Sequence, residues 1–555
     1  MATLQFKGKN IIWNHHMSVS YHTLDLDEKL SYKQDKADGN LIIEGDNLPA
    51  LKSLLPQYTG KIDCIYIDPP YNTGEENWVY NDNVTNEMIK EWIGKVVNKE
   101  DLTRHDKWLC MMTPRLKLIR ELLSQRGLLF ISIDDVEIHN LRTLLDEIFT
   151  ESNFIAQLPT ITNLKGNQDE FGFAGTHEYI LVYAYDKTKC SIKEFRDVGD
   201  EISDWEEDDF GYFKKGANLK STGQNAPREK RPNLFYPIFV DKKLNVYVTE
   251  DDKPKDKNDS VVLPLTDGNE MSWRWEKAKV SREAHNIILV GDESSYSLYK
   301  KQRPQLGDLP TKKPKTIFYK PSYSSGNGTR EMKDFFGDKV FKNPKPSQLL
   351  FDILQISTED HSIILDAFAG SGTTAQAVLE LNEENEGNRK FILIQMPENS
   401  EKEPNKNIAR DITRERVVKV IEKKLKNKDV GFEYRRVGQP IDAETILSGQ
   451  LPTYNQLAKY VYYLATGQSP KDKDIDEKKY LAGKVDHTEV YLLYTPDMEE
   501  LKKMAITFEW AREISKGNET KKIVYAPACF MDDEYLEQFN IKFVSIPYNL
   551  FERQK

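Results

Sequence analysis

The sequence predicts an α/β protein with a doubly wound, largely parallel sheet, and three observations point there. Short apolar runs alternate with segments of helical spacing over the first 190 residues. The alternation stops from about 190 to 335 and resumes near 340. Two sharp turn motifs, IDPPYNTG and DAFAGSGTT, each follow directly on an apolar run. Buried strands alternating with amphipathic helices are the signature of a sheet covered on both faces.

In chain order, LIIEG (41–45) reads as a strand and DNLPALKSLLPQY as the helix after it. CIYID (64–68) is the next strand, followed by a long loop, the helix PRLKLIRELLSQRG and the strand LLFISID (128–134). A helix over roughly 136–149 leads into EYILVYAY (178–185). Past the irregular middle, SQLLFDILQIS is a helix, IILDAF (363–368) a strand and TTAQAVLELNEEN a helix. FILIQM (391–396) is a strand, IARDITRERVVKVIEKKLK (408–426) one amphipathic helix and GFEYRRV (431–437) the last element of this part. A smaller α/β unit follows, with EVYLLYT, a single helix DMEELKKMAITFEWAREISKG, KKIVYAPACF and IKFVSIPY. The division expected is therefore 1–190 and 336–437 as two parts of one domain, 191–335 as an insertion and 438–555 as an accessory domain.

Length and composition are compatible with this. The 555 residues are 39% hydrophobic and 30% charged, enough for several cores. No run approaches the 18 or so apolar residues of a membrane helix, so no membrane is expected. The N-terminus lacks a secretory pattern, and the four cysteines (Cys64, Cys110, Cys190, Cys529) are scattered, which points to a reduced, intracellular, cytoplasmic protein without a zinc site. His15 and His16 read as surface residues, His177 as structural or near a ligand, and Cys64 as a buried small hydrophobe.

The formal net charge of −11 argues against indiscriminate nucleic-acid binding. The charge is uneven, however. Between Phe213 and Tyr247, Lys214, Lys215, Lys220, Arg228, Lys230, Arg231, Lys242 and Lys243 face only Glu229 and Asp241, for a local net of +6. A second basic stretch carries Lys300, Lys301, Arg303, Lys312, Lys313, Lys315 and Lys320. An acidic run at 200–209 reads as a solvated turn. The basic stretches are either a solvated loop surface or a surface for phosphates.

The chemistry sits in the two turns. DAFAGSGTT lets backbone N–H groups approach a ligand beside a helix N-terminus. It is neither GxxxxGK(S/T) nor GxGxxG. In IDPPYNTG, Asp68 and the carbonyl of Pro69 can each accept one N–H of a planar amine, Pro70 stiffens the loop, and Tyr71 can stack on a ring. Both turns fall at the carboxyl edge of the sheet, where open α/β folds bind ligands.

DPPY followed later by FxGxG resembles the amino-methyltransferases that act on exocyclic nitrogens of DNA bases. With the catalytic strand before the glycine turn, a circularly permuted motif order, the chain is similar to the β class of N6-adenine methyltransferases. Further segments are LIIEGDNLPAL, PRLKLIRELLSQRGLLFISIDD, THEYILVY, RPNLFYPI, GTREMKDFFG with FKNPKPSQLL, and RKFILIQMPE. They resemble the modification (Mod) subunit of type III restriction–modification systems over roughly residues 40–437.

That resemblance implies an S-adenosylmethionine-dependent fold with an inserted DNA-recognition domain, acting on adenine flipped out of duplex DNA. It implies Asp68, Pro69, Pro70 and Tyr71 as the catalytic set. Phe368, Gly370, Gly372, Thr373 and Asp366 would surround the methionine part of the cofactor, with Asp46 near its adenine. Glu398, in competition with Gln395, would meet the ribose, and Lys345 the methionine carboxylate or only solvent. Lys214, Lys215, Lys220, Arg228, Lys230 and Arg231 would meet DNA. A homodimer and a separate ATP-dependent restriction (Res) subunit are implied as partners. Two alternatives stay open: an N4-cytosine acceptor, which more often goes with Ser in place of Asp68, and a DNA-reading subunit with dispensable catalysis. C5-cytosine methylation is excluded, since no Pro-Cys dipeptide supplies its nucleophile.

Overall fold

The computed structural model describes residues 3–73, 103–163, 165–166, 172–195, 205–292, 295–304, 313–397, 406–426, 429–518 and 520–546. The chain divides into two compact units, one of Met1–Glu194 with Pro314–Lys555 and the other Phe195–Lys313. The stretch 314–335 thus groups with the large unit.

The large unit is built on a nine-stranded sheet. Its strands are β1 (His22–Leu26), β2 (Leu41–Glu44), β3 (Ile62–Ile67), β4 (Leu123–Ile133), β5 (Phe154–Ile161), β6 (His177–Ala184), β7 (Ile363–Asp366), β8 (Lys390–Gln395) and β9 (Glu433–Pro440). They lie in the order β1-β9-β2-β8-β7-β3-β4-β6-β5. From β9 to β4 every neighbour is parallel, while β1 and β6 pair antiparallel at the flanks. β7 and β8 insert between β2 and β3, so both halves of the chain are needed to close the sheet. The central strands are covered on both faces, which is why they read as continuous apolar runs: Ile42, Ile65, Ile67, Leu365 and Leu393 are all fully buried.

Helices α1 (Asn47–Tyr58), α2 (Arg104–Leu122), α3 (Ile138–Phe149), α4 (Ser325–Phe336), α5 (Ser347–Ser357), α6 (Thr373–Asn385) and α7 (Glu415–Lys423) complete this layer structure. Several expectations need correction. α2 stops at Leu122, and the stretch from Leu123 joins β4, because Leu123 pairs with Ile62 and Ser124 Oγ donates to Asp63. The helix expected over 408–426 opens with a π-helical turn, Ala409–Arg414. His15 and His16 are buried, not exposed. The His16 carbonyl accepts Lys52 Nζ, and burial among lysines pushes its imidazole down to about 4.

The C-terminal part forms a four-stranded sheet of β10 (Leu481–Val485), β11 (Thr488–Leu492), β12 (Lys521–Ala526) and β13 (Ile541–Ser545), in sequential order. β11 to β13 are parallel and β10 is antiparallel. Its helix α8 (Tyr454–Thr466), opened by a Thr453/Gln456 capping box, packs on α1, and the Tyr460 ring lies 4.5 Å from that of Tyr21. One apolar core therefore runs from the large sheet into this part. The single helix expected over DMEELKKMAITFEWAREISKG is two, Met498–Leu501 and Phe508–Ser515. The break holds the fully buried Ile506, which bridges Cys529, and Thr507 recaps the second helix.

The small unit is antiparallel β. Strands 206–208, 211–218, 295–302 and 287–292 form one sheet, and a three-stranded sheet is centred on Ile238–Val240. It has its own core of Leu219, Tyr236, Ile238, Trp273, Val280 and Leu298.

Candidate active site

β3 and β7 are parallel neighbours with Cys64 opposite Ile364 and Ile65 opposite Leu365. The two chains therefore leave the sheet side by side, and the DPPY loop emerges next to the glycine turn.

Asp68, Pro70, Tyr71 and Asn72 of the DPPY loop each meet a partner distant in sequence. The Trp108 indole N–H, fully buried in α2, donates to the Pro70 carbonyl at 2.7 Å. Asn72 adopts φ 59° and donates to Glu137 Oε1 at 2.6 Å. The fully buried Glu137 also receives Asn140 Nδ2 and meets His105 Nδ1, and burial pushes its carboxyl up. Tyr71 donates its hydroxyl to Glu178 Oε2 at 3.0 Å, and burial beside two carboxylates holds that phenol well above its ordinary value.

Lys345 completes the cluster. Its ammonium donates to the Tyr71 hydroxyl at 2.6 Å and to Glu178 Oε2 at 3.1 Å, and lies 3.2 Å from Asp68 Oδ1. Pro344 and Pro346 bracket Lys345 and hold its backbone extended. It is thus no solvated helix-start lysine. Asp68 Oδ1 and Glu178 Oε1 are buried, and among the described residues neither accepts an aligned hydrogen bond.

The glycine turn gives away fewer amides than its sequence suggests. Phe368 N–H donates to Asp366 Oδ1, Ala369 N–H to the Ile394 carbonyl, Gly370 N–H to Gln395 Oε1 and Gly372 N–H to the Ala369 carbonyl. What the turn presents is bare backbone. Gly370 and Gly372 have φ of 51° and 80°, and a Cβ on Gly372 would come within 3.1 Å of the Thr413 carbonyl. The π-helical turn presses Thr413 there, with its hydroxyl donating to the Gly370 carbonyl at 2.6 Å. Beneath, the fully buried Arg416 donates to Ser371 and Thr373 hydroxyls, Gln376 and Glu331. Thr373 Oγ1 donates to the Lys345 carbonyl at 3.3 Å, which ties this turn to the DPPY cluster. Burial pushes the Asp366 carboxyl up to about 7, against the N–H of Phe368 and the hydroxyl of Thr374.

Residues 62–406 match a DNA methylase family. The chain belongs to that family. Among relatives of this DNA methylase, the type III restriction–modification enzyme EcoPI Mod subunit of Escherichia phage P1 is 44% identical over 72% of this chain and 66% of its own length. The StyLTI Mod subunit of Salmonella typhimurium is 32% identical over 77% of this chain and 66% of its own length. The chain thus spans just under two thirds of these Mod subunits. The type II methyltransferase M.KpnI of Klebsiella pneumoniae is 30% identical over 68% of this chain and 85% of its own length.

Within the methylase, the remaining expected residues fall in different places. Asp46 caps α1 by accepting the Leu48 N–H and also receives Arg115 Nη2. Asn47 and Arg115 extend that contact to the Ala367 carbonyl. Gln395 is committed to the glycine turn, and Glu398 lies outside the described residues. In the small unit, Lys214 lies over Trp205 and Lys215 over Tyr299 on one strand. Lys220 and Lys230 donate to the carbonyls of Leu265 and Gln224, and Arg228 pairs with Glu270. Arg231 is exposed. Asp208, expected in a solvated turn, is instead the acceptor for Lys301 and Arg303, whose guanidinium holds it well below the usual carboxylate range. Sequence reading missed Trp108, Glu137, Glu178 and Arg416. Glu178 alone carried a signal, standing in THEYILVY.

Proposed function

We propose that the chain methylates the exocyclic N6 amino group of adenine at specific sites in duplex DNA. It would act in the cytoplasm as the modification and specificity subunit of a type III restriction–modification system, with S-adenosylmethionine as methyl donor. The observation that carries this reading is the partly exposed Asp68 carboxylate at the mouth of a loop fixed by Trp108, its Oδ1 buried 3.2 Å from the Lys345 ammonium and, among the described residues, without an aligned hydrogen bond.

An aromatic amine presents two N–H groups. Asp68 accepts one and the Pro69 carbonyl the other, while the Pro70 carbonyl is already engaged by Trp108. Two acceptors on one amine raise the electron density of its nitrogen and fix its orientation. Tyr71, held at its hydroxyl by Glu178 and Lys345, offers its ring to the base. An amine inside the stack cannot reach this loop, so the base is flipped out.

The glycine turn fits S-adenosylmethionine better than a nucleotide cofactor. Four of its amides are satisfied within the chain and cannot cradle a phosphate, whereas its bare backbone accepts a close-packed methionine arm. Phe368, Gly370, Gly372, Thr373 and Asp366 would hold that arm. When bound, the cofactor supplies a methyl group made electrophilic by a sulfonium.

In the small unit, Lys214 and Lys215 over aromatic rings and the exposed Arg231 suit phosphate contacts. Similarity to the EcoPI and StyLTI Mod subunits supports a separate restriction (Res) partner, and a homodimer is proposed on the family resemblance alone. Co-purification with that partner and the sedimentation of the chain test these two points. Nucleoside mass spectrometry of duplex DNA incubated with labelled cofactor, beside Asp68→Ala, tests the reaction. Label in N6-methyladenine that disappears in the variant is expected. Label in N4-methylcytosine would overturn the acceptor.

A further inference from the structure

The cluster around Asp68 poses an electrostatic problem. An amine nitrogen becomes positively charged as it forms a bond to a methyl carbon. Asp68 stabilises that charge only if its own is not already cancelled. Yet Lys345 Nζ stands 3.2 Å from Asp68 Oδ1, the two side chains being 15% and 25% exposed, so solvent screens the pair only in part. Alone, the pair would present no net charge to the amine.

Glu178 restores the balance. It lies on β6, the strand beside β4, and its Oε2 accepts both the Lys345 ammonium at 3.1 Å and the Tyr71 hydroxyl at 3.0 Å. The second oxygen, Oε1, is buried without an aligned partner among the described residues. Among the described residues, two carboxylates and one ammonium leave the site at net −1 when Glu178 is ionised; burial pushes its carboxyl up and the Lys345 ammonium draws it back down. Because Lys345 bridges both carboxylates, the repulsion between them is relieved without emptying the site of negative charge.

We propose that Glu178 is a positioning residue for methyl transfer: it engages Lys345 and Tyr71, so that Asp68 faces the attacking amine with an uncancelled negative charge. This rests on the methyltransferase reading above. Glu178 acts through the ammonium whose charge it offsets and through the ring whose hydroxyl it holds. A largely buried carboxylate 107 residues from Tyr71 in sequence, bound to two members of one site, has no evident role in the sheet itself.

The test is a charge-balance cycle on the full chain, with steady-state methylation of duplex DNA as readout. Glu178→Gln keeps an acceptor for Tyr71 and removes the charge. It is expected to lower kcat about a hundredfold, with KM for DNA and cofactor changed by less than about threefold. Adding Lys345→Met removes the compensating cation and is expected to recover at least tenfold of that loss. A merely structural glutamate predicts the opposite, since a second buried substitution would deepen the defect. Glu178→Asp, which keeps the charge, should stay within about tenfold of the wild type. The inference is overturned if the double variant is no better than Glu178→Gln, or if Glu178→Gln matches the wild type. Should Glu178→Gln fail to fold, the double variant against Lys345→Met alone decides: equal rates support it, and a hundredfold loss overturns it. A wild-type chain that labels no DNA would sink the methyltransferase reading itself, an outcome distinct from any of these.

Discussion

The Trp108 indole N–H donates to the carbonyl oxygen of Pro70 across 2.7 Å. Prolines supply no N–H, so the two-proline loop has few ways of anchoring itself, and this bond does so from a fully buried ring. Trp108→Phe keeps most of the ring and removes the donor. Stability should fall by about 1 kcal/mol, and kcat by about tenfold, with cofactor affinity little changed. Thermal unfolding beside methylation kinetics checks both.

Asn72 holds the other end of the loop in a left-handed conformation that asparagine tolerates better than alanine. Asn72→Ala combines that strain with the lost bond to Glu137. A loss of about 2–3 kcal/mol is expected in denaturant unfolding. Asn72→Gly, relieved of the strain, should lose less.

Arg416 is buried without exposure under the glycine turn and bonded to four side chains. Arg416→Met leaves Glu331 without that partner, and a cost of about 3–5 kcal/mol is expected. A milder Arg416→Lys should fold, but with cofactor Kd raised about tenfold, since the three donors of one ammonium cannot serve Ser371, Thr373, Gln376 and Glu331 together. Isothermal titration with S-adenosylmethionine reads this directly.

The raised Asp366 carboxyl makes stability depend on pH. Folded, it keeps its proton up to about 7, well above its unfolded value. Its contribution is therefore fully present at low pH and lost as pH rises through about 7. Asp366→Asn removes that loss. The variant should gain on the wild type between pH 5 and pH 8, by at most ~3 kcal/mol, with little further change above pH 8. A constant difference across this range in urea unfolding would contradict the assignment.

In the small unit, basic residues differ in what they have left to offer. Lys220 and Lys230 already donate to backbone carbonyls and Arg228 faces Glu270, whereas Arg231 is exposed and Lys215 meets only the Tyr299 ring among the contacts seen. Lys215→Ala and Arg231→Ala should each reduce the salt slope of DNA binding by about one. Lys230→Ala should change it less.

The central strands of the large sheet and the helices beside them were readable in the chain because their cause is local, whereas β1, β5 and α4 were not read. A strand covered on both faces must be mostly apolar, as β3 and β7 are but for Asp63 and the terminal Asp366, and α5 and α6 match the periodic segments residue for residue. The misread elements are those where pairing overrides periodicity. Leu123 is drawn into β4 by Ile62, and Ile506 breaks a helix to bridge Cys529.

By itself, then, the sequence determined the fold class, the DPPY loop, the glycine turn and the basic character of the insertion, since each is written in a few adjacent residues. Tertiary structure alone decided what supports them. Trp108 lies 38 residues from Pro70, Glu178 lies 107 from Tyr71, and Lys345 lies 274 from Tyr71. Contacts over such separations leave no period or spacing to read. It also changed the sense of the glycine turn, from a set of free amides to a bare surface with four of its amides satisfied, two of them by Gln395 and the Ile394 carbonyl of the neighbouring strand. Residue types follow from local chemistry; which of them must neutralise, tether or make room for another follows only from the strand order that brings them together.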